Sequence, residues 1–195
     1  MHTRLFFATT LLVSVASAPV FGARAMYISL CNNAGVPEKI VAQARQEVEV
    51  AFEAAKATVH WVSCQGIESA KDRYGELLFV IRLRGDRAWF AKRSVSLDTM
   101  GRAYTEERGS GYLADAYMPS IVKFSEEHDI DVDRLLGLVM AHELGHLVLG
   151  PGHSEDGIMF GQWTWRETEA GRKRWLRFNH EQAAVIAGLL ARRAK

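Results

Sequence analysis

The sequence predicts a single α+β domain built on a mixed, twisted sheet of about five strands, with one long buried helix and a C-terminal helix. Three observations carry that expectation. Between Met26 and Val62 the apolar spacing runs strand, helix, strand. Two short segments around the polar turn Glu106–Ser110 have the pattern of a hairpin. The C-terminal half holds two helical segments with recognisable start and stop residues. The length of 195 residues suits one compact domain with a real core.

The first residues stand apart from that domain. Met1-His2-Thr3-Arg4 is a short positive start, and Leu5–Val15 is dominated by apolar side chains. Ala23-Arg24-Ala25 has the A-x-A form of a signal-peptidase site. The earlier Ala16-Ser17-Ala18 would leave Pro19 just after the cut. Residues 1–25 are therefore read as a signal peptide and residues 26–195 as the domain, exported to a periplasm or secreted. Leu5–Val15 is too short to span a bilayer core of ~30 Å, and no later stretch is longer, so stable membrane insertion is not expected.

Within the domain, Met26–Leu30 reads as a strand and Asn32–Val36 as a turn. Pro37 suits the first residue of a helix. Ile40, Val41, Ala44, Val48, Ala51, Phe52 and Ala55 then repeat at helical spacing. Thr58–Val62 is the next strand, so a right-handed parallel crossover follows. That crossover puts Cys31 and Cys64 at the same ends of neighbouring strands. In an oxidising compartment two such cysteines usually pair, and a disulfide is expected over two buried thiols.

Leu77–Leu83 is a strongly apolar third strand. Gly101–Thr105 and Gly111–Tyr117 form the hairpin, and Pro119–His128 a short helix. Asp131 or Asp133 caps a long helix from about Arg134 to Leu149, stopped by Gly150. Asn179 caps the last helix through Ala191, with Gln182 placed as in a capping box.

Composition excludes some functions. Lys plus Arg total 24 and Asp plus Glu 23, which gives no electrostatic case for nucleic acid or an anionic membrane. Removing residues 1–25 takes away Arg4 and Arg24 and leaves a net charge of −1. Apolar residues at 48% and charged residues at 24% are ordinary for a globular protein. The basic run Arg172–Arg177 reads as a solvated face. His60, His128 and His180 have no helical partner histidine. No serine or cysteine sits in a nucleophile motif, and nothing in the pattern speaks to oligomeric state.

The chemistry sits in His142-Glu143-Leu144-Gly145-His146, on the long helix. Histidines four apart lie about 40° apart around a helix of 3.6 residues per turn, so both imidazoles reach one metal ion. Glu143 lies beside them, free to hold a water. A hydrolytic zinc site needs three protein ligands and an open fourth position. Such a site lowers the pKa of water towards 7, and a nearby carboxylate takes the proton. Two histidines and a glutamate on an otherwise apolar helix are costly to bury without a metal.

His153 follows after Gly150 and Gly152, which let the chain leave the helix and turn back. The whole segment HELGHLVLGPGHSEDGIM, residues 142–159, resembles the signature of the metzincin zinc metalloproteases. That signature is HExxH, a glycine turn, a third histidine and a methionine turn. Here Gly150 and His153 each come one residue later than the family usually places them, while the spacing between them is kept. The resemblance implies a zincin-like domain, zinc held by His142, His146 and His153, and Glu143 as general base. Glu155 or Asp156 nearby, or Glu167, are the other candidates for the third ligand. Met159 would form an apolar floor under the imidazoles. Phe160, Trp163 and Trp165 fall where such a protease shapes its substrate wall, or else pack the C-terminal segment. An edge strand would hold the extended peptide or protein substrate, and Gly101–Thr105 is the candidate by position. No tyrosine ligand follows Met159, and little chain separates the cleavage point from the first helix for a pro-domain. The expected activity is that of an exported zinc-dependent endopeptidase. A zinc-stabilised binding protein without catalysis and a metallohydrolase of cell-wall peptides are the alternatives. Three imidazoles suit zinc, though other divalent ions bind such sites.

Overall fold

Asn32 ends the first strand by clasping the turn that follows it. Its Nδ2 donates to the Val36 carbonyl at 2.7 Å, and its Oδ1 accepts from the Val36 N–H at 2.9 Å. In this computed structural model, which describes residues 24–85, 99–106, 111–161 and 176–193, that strand is β1 (Arg24–Asn32). It begins two residues before the expected cleavage point. Helix α1 (Glu38–Phe52) follows, with Pro37 as its cap rather than its first residue. A 3-10 turn, Glu53–Ala55, takes up the last part of the helical pattern. β2 (Ala57–Val62) then runs parallel to β1, with Met26 opposite Val59.

Helix α2 (Ile67–Tyr74) was not expected from the pattern. It buries none of its residues, so it has no apolar stripe for a periodicity argument to find. β3 (Leu78–Arg84) is nearly continuous in apolar burial, as a strand covered on both faces must be. β4 (Gly101–Thr105) and β5 (Gly111–Tyr117) form the expected antiparallel hairpin. The sheet order is β2-β1-β3-β5-β4, parallel except for β4, which lies at the edge. The α+β reading with a mixed five-stranded sheet therefore holds.

α3 (Met118–His128) leads into α4 (Val132–Leu149), which starts two residues before the expected boundary. Asp131 occupies its cap position without a side-chain bond, and Asp133 Oδ1 instead accepts from the Arg134 N–H. α5 (His180–Arg193) has the full capping box: the Asn179 N–H donates to Gln182 Oε1 at 3.0 Å, and the Gln182 N–H donates to Asn179 Oδ1 at 2.9 Å.

One face of the sheet carries Met26, Ile28, Phe79, Ile81, Leu83, Ala114 and Ala116 into a single core. Val41, Ala44 and Val48 of α1 and Leu135, Leu136, Met140 and Leu144 of α4 complete it. The two helices approach closely at Gly137, where a Cβ would lie 2.7 Å from the Ala44 carbonyl oxygen. The opposite face holds a buried ion pair. Asp115 is fully buried and takes Arg82 Nε on Oδ1 at 2.6 Å and Arg82 Nη2 on Oδ2 at 2.9 Å. The Tyr104 hydroxyl donates to Oδ2 at 2.8 Å. No helix among the described residues is long and apolar enough to cross a membrane.

Cys31 and Cys64 are bonded, with their Cα atoms 5.1 Å apart. Cys31 lies near the end of β1 and Cys64 just past β2, and such a bond is compatible with an oxidising environment. The bridge spans a sequence separation of 33, and a loop of that length contributes roughly 3–4 kcal/mol in the chain-entropy account. Replacing both cysteines by serine should lower the urea midpoint by the equivalent of that amount. An unchanged midpoint would show that the crossover holds β1 against β2 without it.

Candidate metal centre

The second half of α4 is buried almost all round: Leu144 and Leu147 are inaccessible, Glu143 is 7% exposed and His146 9%. Gly150 ends the helix at φ 95°, a left-handed conformation that side chains disfavour, and its N–H donates to the His146 carbonyl at 2.9 Å. The chain then turns so that His153, itself exposed, comes back over the helix.

The three histidines meet. One ring nitrogen from each of His142, His146 and His153 lies within 4.8 Å of the other two. The rings of His142 and His146 have centroids 4.7 Å apart, and His153 stands 5.3 and 5.0 Å from them. His142 Nδ1 donates to the Ile158 carbonyl at 2.7 Å, and His146 Nδ1 to the Gly150 carbonyl at 3.1 Å. Those bonds fix the tautomers and leave both Nε2 lone pairs facing inward. The two Nε2 atoms are 3.0 Å apart. Two lone pairs aimed at each other at that distance suit a shared cation, so the donor set fits a divalent metal such as zinc. Among the described residues this is the only group of three or more histidine, cysteine or carboxylate side chains that could hold an ion. Asp156 belongs to a turn instead, with Asn179 Nδ2 donating to its Oδ1 at 3.4 Å. Glu155 is exposed and outside the group. Glu167, Trp163 and Trp165, like most of the basic run after Arg172, lie outside the described residues.

Burial governs the titration of the site. It lowers the His142 pKa to about 4, with the neighbouring His146 and His153 adding to the effect and the Ile158 carbonyl opposing it. His146 is lowered for the same first reason. Glu143 is raised to about 8 by burial, against the backbone N–H of Ala103 and the charge of Arg102.

Three glycines shape the surroundings. A Cβ on Gly101 would lie 2.5 Å from Glu143 Oε1, so the start of β4 is bare where the carboxylate sits against it. A Cβ on Gly161 would lie 2.7 Å from His153 Cγ. One on Gly145 would collide with Met159 Sδ and lie 2.9 Å from Phe178 Cε1. Met159 is 2% exposed and packs at Gly145, on the turn of helix between the two histidines. The Ser154 N–H donates to the Met159 carbonyl at 2.9 Å and closes the turn that carries it. A cleft of about 460 Å³ opens over the histidines, between Met100–Ala103 on one side and Gly152, His153, Phe160 and Gly161 on the other.

No family model and no curated protein matches the chain. Among solved structures, it is similar to archaemetzincin from Methanopyrus kandleri, with a TM-score of 0.52 over 89% of this chain and 97% of that one at 15% identity. The fold is archaemetzincin-like. This bears out the resemblance read from residues 142–159, and the similarity extends well beyond that motif.

Two outcomes test the centre. Purified protein should bind one zinc per chain by elemental analysis, and His153→Ala should lose most of that affinity; equal retention would move the third ligand to a carboxylate. In metal-free protein, an unfolded imidazole takes a proton near pH 6.5, whereas folded His142 resists until about 4. Its contribution is therefore complete above pH 6.5 and lost as the pH falls towards 4. Urea titrations across that window should show falling stability, and His142→Gln should flatten the fall.

Proposed function

We propose that this chain is an exported zinc-dependent endopeptidase, in which His142, His146 and His153 hold the metal and Glu143 is the general base. The observation that carries the reading is the convergence of three imidazoles beside a buried carboxylate, at a cleft walled by an edge strand. When bound, zinc would supply a Lewis acid that activates water and polarises the scissile carbonyl.

The chain's own residues account for the rest. The carbonyls of Ile158 and Gly150 hold two imidazoles in the ligating tautomer. The backbone N–H of Ala103 orients Glu143. Glu143 takes a proton from the attacking water and then delivers it to the leaving amine, so one carboxylate serves both halves of the hydrolysis. Beside it, β4 is the sheet edge, and apart from the Ala103 N–H that Glu143 takes, its outward backbone groups would receive an extended peptide by strand addition. Met159 gives the imidazoles an apolar floor. Export rests on the signal-like residues 1–25, and the Cys31–Cys64 bond is consistent with it.

Glu143→Ala should keep its zinc and lose hydrolysis by about 10²–10⁴-fold, measured on a broad peptide library at equal metal content. Cleavage at the native rate would remove Glu143 from the mechanism. Zinc binding without any cleavage by the unaltered protein would favour a binding role, and release of fragments from purified wall material alone would favour cell-wall peptides.

A further inference from the structure

The sheet carries a row of charges that stops at its open edge. On the face away from the core, Arg82 of β3 lies opposite Asp115 of β5, and Asp115 lies opposite Arg102 of β4. The three share one face because each sits between two residues directed towards the core or Glu143: Ile81 and Leu83, Ala114 and Ala116, Gly101 and Ala103. The signs alternate: positive, negative, positive. Asp115 is fully committed, with Arg82 on both oxygens and the Tyr104 hydroxyl on one of them. Arg102 is exposed and forms no salt bridge or side-chain hydrogen bond with the described residues. It is also the one lysine or arginine among the described residues that line the cleft.

β4 is the last strand of the sheet. The Tyr117 N–H donates to the Met100 carbonyl at 2.8 Å, which turns that carbonyl towards β5. By the alternation of an antiparallel ladder, the backbone groups of Gly101 and Ala103 point outward, and of these the Ala103 N–H is the one Glu143 takes. A peptide added at that edge puts every second side chain on the Arg102 face, and the one directly across from Arg102 becomes the fourth member of the row. Opposite charges directly across strands attract and like charges repel.

We propose that Arg102 is a specificity-determining residue and that the preferred substrates are extended peptides with Asp or Glu at the position paired with it. This rests on the peptidase reading of the cleft. The test therefore separates binding from cleavage.

Zinc-loaded Glu143→Ala protein is titrated with blocked, fluorescent hexapeptides of alternating Val-Glu, Val-Gln and Val-Lys, which keep all their polar side chains on one face of a strand. The Glu peptide should bind about two- to fivefold more tightly than the Gln peptide, and the Lys peptide more weakly still. The same preference should persist with Arg102→Lys, vanish with Arg102→Gln and reverse with Arg102→Glu added to the same background. Raising the salt should erase it. Equal binding of the three peptides overturns the proposal, as does a Glu preference that survives Arg102→Glu, because such a preference comes from the metal or another group. In parallel, library digestion by the unaltered protein should enrich acidic residues at one fixed distance from the cut, and Arg102→Glu should replace them with basic ones. If nothing is cut, the peptidase reading fails, while the binding series still decides the role of Arg102.

Discussion

Helix α4 must be buried on almost every side and still carry two imidazoles and a carboxylate at its C-terminal half. Much of the rest of the structure follows from that constraint. Its N-terminal half packs Leu135, Leu136 and Met140 into the core beneath the sheet, which fixes the axis of the helix. The polar residues can then be placed only where backbone groups satisfy them. The carbonyls of Ile158 and Gly150 take the imidazole N–H groups, and the N–H of Ala103 faces the carboxylate. Each partner comes from a different segment, so the site exists only when the hairpin, the helix end and the turn that carries Met159 are all in place.

Glycine makes those approaches possible. Gly145, Gly101 and Gly161 each lie where a methyl group would overlap a working side chain or the methionine beneath it. These are contacts between segments distant in sequence. Helix and strand are stacked closely enough that the carboxylate of Glu143 occupies the space a β4 side chain would otherwise fill.

Much of the fold was legible because its signals are local. The strand–helix–strand start, the hairpin and the capping box of Asn179 and Gln182 are each written in a few neighbouring residues, and each is present. The disulfide followed from the parallel crossover that sets its two cysteines side by side. The spacing of His142 and His146 put both on one helix face, the metzincin resemblance added His153, and the extra residue before Gly150 is absorbed by a helix that runs to Leu149. What escaped the sequence depends on surface exposure or on tertiary approach. Helix α2 has no buried stripe, so periodicity is silent there. Asp115, in an otherwise apolar strand, gains its meaning only when Arg82 and Tyr104 arrive from other strands. Gly101 reads only as the start of a strand, and Gly161 carries no signal of its own, until their neighbours are known.

The three metal-binding candidates differ in their mechanical standing. His142 and His146 are fixed to a buried helix, whereas His153 hangs from an exposed turn that leaves that helix at Gly150. An ion gripped by all three would be a chelate with two rigid arms and one surface arm. It would act as a cross-link, tying the turn to the helix and closing a short ring of chain between His146 and His153. The ring belongs to the rim of the cleft rather than to the core, so the ion's departure would slacken the wall that faces β4 and leave the sheet and its packing as they were.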